Sequence, residues 1–80
     1  MKSEDILLEL NIVFADILKI KDILLKKETT ASDIESWDSI SNILLIDSIE
    51  THFNINFSLM EIQSFNNVGD ICESISKKVD

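Results

Sequence analysis

The side chains of this chain that could do chemistry are few: the Asp38-Ser39 pair, the single histidine His52, the single cysteine Cys72, and a run of carboxylates between Glu28 and Glu73. A serine hydroxyl is a poor nucleophile without a neighbouring base. His52 has no nucleophile spaced to meet it, so a solvent-facing histidine near a helix end is the expected reading. Cys72 falls on the apolar side of a helical segment, where a thiol packs as a small core group rather than reacting as a thiolate. Asp38 and Ser39 stand just ahead of an apolar run, where short polar side chains cap a helix, and Ser39 there remains open to modification by another enzyme. One Cys excludes an internal disulfide, and one His with one Cys does not complete a structural zinc site. The lone Gly69 excludes a glycine-rich phosphate loop or a dinucleotide fingerprint. No catalytic set and no metal site emerge, so the chain is not expected to act as an enzyme on its own.

Charge sorts the possible partners. Fifteen acids against seven lysines, with no arginine, give a net charge of −8 over 80 residues. The lysines sit at Lys2, Lys19, Lys21, Lys26, Lys27, Lys77 and Lys78, and no basic residue other than His52 lies between Glu28 and Ser76. Such a surface repels phosphate backbones and anionic lipid, so no nucleic-acid partner is expected; it attracts basic protein surfaces in a salt-dependent way. The longest apolar run, Ile43 to Ile46, is far below the ~18 residues that span a bilayer, which argues against membrane insertion. The start Met1-Lys2-Ser3-Glu4-Asp5 lacks the basic and apolar regions of a signal peptide, and the unpaired Cys72 suits a reducing, cytoplasmic compartment.

Elements that position these residues follow from periodicity. A hydrophobic content of 45% with no proline and one glycine argues for a single small all-α domain over residues 1–80. Ile6, Leu7, Leu10, Val13, Phe14, Ile17 and Leu18 keep helical spacing, predicting a first helix from about Ser3 to Leu18 with Ser3 as its cap. Lys19 to Trp37 is weakly patterned. Ile23-Leu24-Leu25 reads as a short helical turn or an apolar tuck, Ser32 and Glu35 have capping-box spacing, and Ile34 and Trp37 are expected to plug the loop into the core.

A second helix is predicted from Asp38-Ser39 to His52 or Phe53. At about 100° per residue, Leu45, Ile46, Ile49 and Phe53 share one arc, the expected core face. Ile40 and Leu44 lie on another arc, flanked by Asp47 and Thr51, and form an exposed apolar pair unless the third helix or the long loop covers Leu44. Asn54-Ile55-Asn56-Phe57 is a link with two apolar anchors, and Ser58 with Glu61 forms a capping box opening a short helix towards Ser64. Asn67 caps a last helix whose buried stripe is Val68, Ile71, Cys72, Ile75 and Val79, with Lys77 and Lys78 at its negative pole and Gly69 marking close packing. The layout is a four-helix bundle with a long loop between its first two helices and a short third helix.

The run Trp37-Asp38-Ser39-Ile40 at the head of the second helix resembles the acyl and peptidyl carrier proteins, which carry Asp-Ser-Leu or a close variant at this place. The spacing from Ser39 to Phe53, the Asn54-Ile55-Asn56-Phe57 link, and Asn67-Val68-Gly69-Asp70-Ile71 are similar to the family's later landmarks, so the resemblance covers essentially the whole chain. It implies that a phosphopantetheinyl transferase attaches phosphopantetheine from coenzyme A to Ser39, and that the arm's thiol holds an acyl or aminoacyl group as a thioester. It also implies that Asp38 neighbours the attachment point, that Ile40 stands for the family's Leu, and that Asp47 and Glu50 lie on surface where basic loading and transferring enzymes dock. A helix N-terminus with unpaired N–H groups is a favourable neighbour for the phosphate.

The chain departs from fatty-acid-type members at Ser41, Asn42, Leu44 and Thr51, which thin the acids on the second helix. Docking is therefore expected to lean on Ile40 and Leu44. Together with the tryptophan before Asp-Ser, this thinning resembles a dedicated carrier of a specialised pathway, the D-alanyl, polyketide and nonribosomal peptide types included, and a monomer is expected; the alternatives are a D-alanyl or other aminoacyl or peptidyl carrier, and a carrier-like helical subunit that works unmodified.

Overall fold

The structure is a computed structural model that describes residues 2–79; Met1 and Asp80, the two ends of the expected domain, lie outside the described residues. Its helices are α1 (Ser3–Leu18), α2 (Ser39–Phe53), α3 (Leu59–Ser64) and α4 (Val68–Val79), with one 3-10 turn at Ala31–Asp33 in the α1–α2 loop. All regular structure among the described residues is helical. The four-helix architecture with a long first connection and a short third helix is the one the periodicity predicts.

Burial follows the stripes. α1 packs against both α2 and α4, and the core collects Ile6, Leu10, Val13, Phe14 and Leu18 from α1, Leu45, Ile46 and Ile49 from α2, and Val68, Ile71, Cys72 and Ile75 from α4. The connections add Leu25, Trp37 and Phe57. Trp37 meets Phe14 edge to face at 5.0 Å between centroids, a geometry favoured by the ring quadrupoles. Ile34 and Phe53 pack half-buried at the margin of this core. Burial raises the Cys72 thiol pKa, with a smaller opposing influence from Lys27, as befits a core thiol.

Several local expectations are corrected. Ser3 does not cap α1: Lys2 occupies the cap in an extended conformation, and its carbonyl accepts the Ile6 N–H at 3.0 Å, so Ser3 is already helical. The capping box of the long loop forms from Thr30 and Asp33 rather than Ser32 and Glu35. Asp33 Oδ2 accepts the Thr30 N–H at 2.9 Å, which places the turn before Ile34 so that the chain can run inward to Trp37. Of the two readings of Ile23-Leu24-Leu25, the apolar tuck is the one that forms: Leu25 is buried, its N–H donating to Asn11 Oδ1 at 2.8 Å, and Ile23 packs half-buried against the core, while Leu24 faces solvent.

The long loop is ordered because it completes α4. A helix N-terminus leaves its first N–H groups without intrahelical acceptors. Here the Val68 N–H donates to Thr29 O at 2.9 Å and the Gly69 N–H to Lys27 O at 2.8 Å, while Asn67 Oδ1 takes the Asp70 N–H at 2.9 Å. A Cβ on Gly69 would lie 3.0 Å from Lys27 O, so any larger residue would press the loop backbone outward. α3 has no fully buried residue; Ile62 packs half-buried against the core, and polar contacts add to its hold. Ser58 and Glu61 cap it reciprocally, and Glu61 also accepts from Ser74 Oγ at 2.7 Å and pairs with Lys78 at 3.0 Å on α4.

Candidate functional site

Ser39 is the first residue of α2, exposed, and its hydroxyl makes no hydrogen bond among the described residues. Its surroundings are rigid. Asp38 occupies the cap in an extended conformation, and its Oδ1 accepts the N–H groups of Ile40 at 3.0 Å and Ser41 at 2.9 Å. Ser41 Oγ accepts the Asp38 N–H at 2.8 Å and donates to Ser36 O at 2.8 Å, pinning the incoming chain to the helix. Behind this turn the Trp37 indole N–H donates to Asn42 Oδ1 at 3.0 Å.

The electrostatics are correspondingly local. The Ser41 backbone hydrogen bond, helped by that of Ile40, holds the Asp38 carboxyl below the usual carboxylate range against a smaller desolvation effect. Of the two residues expected at the cap, Asp38 caps α2 and Ser39 is the first residue of the helix. Asp38 also consumes the Ile40 and Ser41 N–H groups, so the free donors expected beside Ser39 are reduced to the Ser39 amide. The positive pole of the helix remains.

Other candidate residues separate by face. Ile40 is 75% exposed and Leu44 54%, so neither α3 nor the long loop covers Leu44. Asp47 is exposed one turn further along α2. Glu50 is half-buried, and its Oε2 accepts the Phe57 N–H at 2.8 Å, which ties down the α2–α3 link. His52 is exposed at the end of α2 but not isolated: its Nε2 lies 2.7 Å from Glu9 Oε1 on α1. Sequence reasoning missed Ile43, which is 69% exposed; with Ile40 and Leu44 it forms an i, i+3, i+4 set, and the same angular arithmetic would have found it. It also missed the exposed Leu59 and Met60 on α3, where a six-residue helix has too short a pattern to show which side faces inward.

Residues 10–75 match the protein family described as the phosphopantetheine attachment site. The chain belongs to that family. Among solved structures, the holo acyl carrier protein of Geobacter metallireducens, determined by solution NMR, superposes with a TM-score of 0.87 at 41% identity, covering 91% of this chain and 84% of that one. A putative acyl carrier protein from Mycobacterium tuberculosis gives a TM-score of 0.80 at 25% identity, covering 90% and 96% respectively. No curated protein sequence gives a significant match.

This member of the phosphopantetheine attachment family is thus a carrier protein rather than an enzyme, with phosphopantetheine as its covalently held group. Carriers of this kind are served by a phosphopantetheinyl transferase and by enzymes that handle the acyl cargo. The residues at the head of α2 fit the group: a free, exposed hydroxyl stands on a braced turn at the positive end of a helix. Among the described residues no helix is long and apolar enough to cross a membrane, and no cluster of His, Cys, Asp or Glu is arranged to hold a metal ion.

Proposed function

We propose that Ser39 is the attachment residue and that the whole chain, 1–80, is one monomeric cytoplasmic carrier domain that delivers an acyl thioester to the enzymes of a specialised pathway. The observation that carries this reading is the unengaged Ser39 hydroxyl at the first position of α2 in a chain of the attachment family. Attachment forms a bond from Ser39 Oγ to the phosphorus of coenzyme A that bears the pantetheine and breaks that phosphorus's bond to the adenosine bisphosphate. The serine proton passes to a base of the transferase. When bound, the arm supplies a thiol on which the cargo is held as a thioester. An acyl rather than aminoacyl cargo is supported by the acyl carrier proteins that the chain resembles at up to 41% identity.

Docking is assigned to the outer side of α2: Ile40, Ile43 and Leu44 as apolar contacts, Asp47 as the nearest exposed charge, and Glu50 as a charge shared with the Phe57 link. A partner that fits presents an apolar spot ringed by lysine or arginine.

Intact mass measured after incubation with coenzyme A and a promiscuous transferase tests the reading. One added phosphopantetheine on the wild type and none on Ser39→Ala is expected. An unmodified wild type, or addition that survives Ser39→Ala, overturns it. Full biological activity of Ser39→Ala would instead identify an unmodified interaction subunit.

A further inference from the structure

Beside Ser39 the surface dips into an open basin of ≈ 420 Å³, lined by Ala31, Ser32, Trp37, Asp38, Ser39 and Asn42. We infer that this basin, between the 3-10 turn and the head of α2, is the resting site of the pantetheine arm. The inference rests on Ser39 being the attachment point.

Position is the first argument. Ser39 is itself part of the lining, so whatever hangs from its Oγ starts at the rim. Chemistry is the second. A pantetheine arm alternates amides with a dimethyl-substituted carbon and methylenes, and needs a mixed surface. The lining residues are of both kinds, apolar Ala31 and Trp37 beside polar Ser32 and Asn42. Asn42 Oδ1 is already committed to the Trp37 indole N–H, which orients the half-exposed carboxamide, and its two N–H donors meet no protein acceptor among the described residues. A carbonyl of the arm can take them in place of water. By contrast, the exposed residues on the outer side of α2, Ile40, Ile43 and Leu44, are aliphatic and offer the arm's amides nothing.

The walls are also fixed in advance. Asp33 ties the turn carrying Ala31 and Ser32 to Thr30, and Thr30 Oγ1 lies 2.9 Å from Ser32 Oγ. Trp37 is seated on Phe14. A rigid site loses little entropy when it receives a flexible ligand. Charge points the same way: no Lys or Arg stands between Glu28 and Ser76, so nothing basic in that stretch grips the phosphate. Any hold on the arm must come from amide hydrogen bonds and apolar contact, which is what the basin provides.

The test compares apo and holo protein by NMR, once added mass has established that Ser39 carries the arm. Expected are nuclear Overhauser contacts from the arm's dimethyl protons to the Ala31 methyl and the Trp37 ring, with shifted signals for the Asn42 side-chain N–H groups. The emission of Trp37, the only tryptophan, should change on conversion. Asn42→Asp keeps an acceptor for the indole but removes both donors, and Ala31→Gln fills an exposed part of the basin. Each should abolish the contacts while the apo spectra elsewhere stay in place. Contacts confined to Ile40, Ile43 and Leu44, or contacts that persist in both variants, overturn the basin and leave the carrier reading standing. A wild type that gains no mass overturns the carrier reading, and the basin with it.

Discussion

Asp38 and Ser41 hold each other at the head of α2: Asp38 Oδ1 accepts the Ser41 N–H at 2.9 Å, and Ser41 Oγ accepts the Asp38 N–H at 2.8 Å. Ser39 sits inside this clasp with its own hydroxyl free. Asp38, the residue ahead of the proposed attachment serine, therefore shapes the turn that presents it.

Asp38→Ala removes the acceptor for two backbone N–H groups. Amide hydrogen exchange at Ile40 and Ser41 should accelerate while that of α4 is unchanged, and transfer of phosphopantetheine to Ser39 should slow. Asp38→Asn, which keeps an acceptor oxygen, should recover most of the exchange protection. Unaltered exchange at Ile40 and Ser41 in Asp38→Ala would refute the capping role.

Trp37 binds the loop to the core through Phe14 and to α2 through Asn42. Truncation to Ala should cost about 3–5 kcal/mol, read as a lower denaturation midpoint. Trp37→Phe keeps most of the ring but strands Asn42 Oδ1, and should cost less than Trp37→Ala, with the lost hydrogen bond accounting for about 1 kcal/mol.

Gly69→Ala sets helix propensity against contact. Alanine would favour the helix by about 1 kcal/mol. Its Cβ, however, would stand 3.0 Å from Lys27 O, a backbone atom whose carbonyl is held by the Gly69 N–H at 2.8 Å. Overpacking of this kind costs about 1–3 kcal/mol, so the variant should be less stable than wild type in denaturant titration. A gain in stability would show that the loop yields freely.

Glu61 gathers the Ser58 N–H, Ser74 Oγ and Lys78 Nζ, and these hydrogen bonds, that from the Ser58 backbone foremost, lower its pKa from 4.5 to about 2. A carboxyl lowered on folding stabilises the fold above its unfolded pKa, and that stabilisation is lost as pH falls through the folded value. The melting temperature should therefore fall as pH drops from about 4.5 towards about 2. Glu61→Gln should melt lower at neutral pH, with α3 signals most affected, and show a shallower acid limb. An acid limb as steep as that of wild type would assign the effect to other carboxyls.

Ile43→Glu and Leu44→Glu replace exposed aliphatic groups, so each should leave fold stability within about 0.5 kcal/mol of wild type. Both should weaken binding of acyl-handling enzymes. Added salt should weaken wild-type binding as well, because Asp47 and the surrounding acids are screened over about 10 Å at 0.1 M ionic strength. Binding insensitive to both salt and substitution would remove α2 as the docking face.

Much of this protein could be read from local pattern alone. The helices appear because apolar side chains repeat at helical spacing, and the Asp38, Ser58 and Asn67 caps appear because a cap and its donors lie within three residues of one another. Such a boundary alone marks Ser39 only as a cap residue; it is the resemblance of the Trp37-Asp38-Ser39-Ile40 run to carrier proteins that singles it out. What the sequence could not show depends on groups far apart along the chain. Lys27 and Thr29 complete the start of α4, Glu9 meets His52 across α1 and α2, and Ser74 and Lys78 hold α3 through Glu61. The shift of the loop's box to Thr30 and Asp33 belongs with these, since it follows from where Trp37 must enter the core. On α2 the angular arithmetic already set Ile40 and Leu44 off the core face, and Ile43 falls with them; the assembled fold decided only that neither the long loop nor α3 covers that side. Backbone hydrogen bonding and periodicity act over one or two turns, whereas loop closure and helix packing choose among distant donors and faces, and only the assembled fold makes that choice.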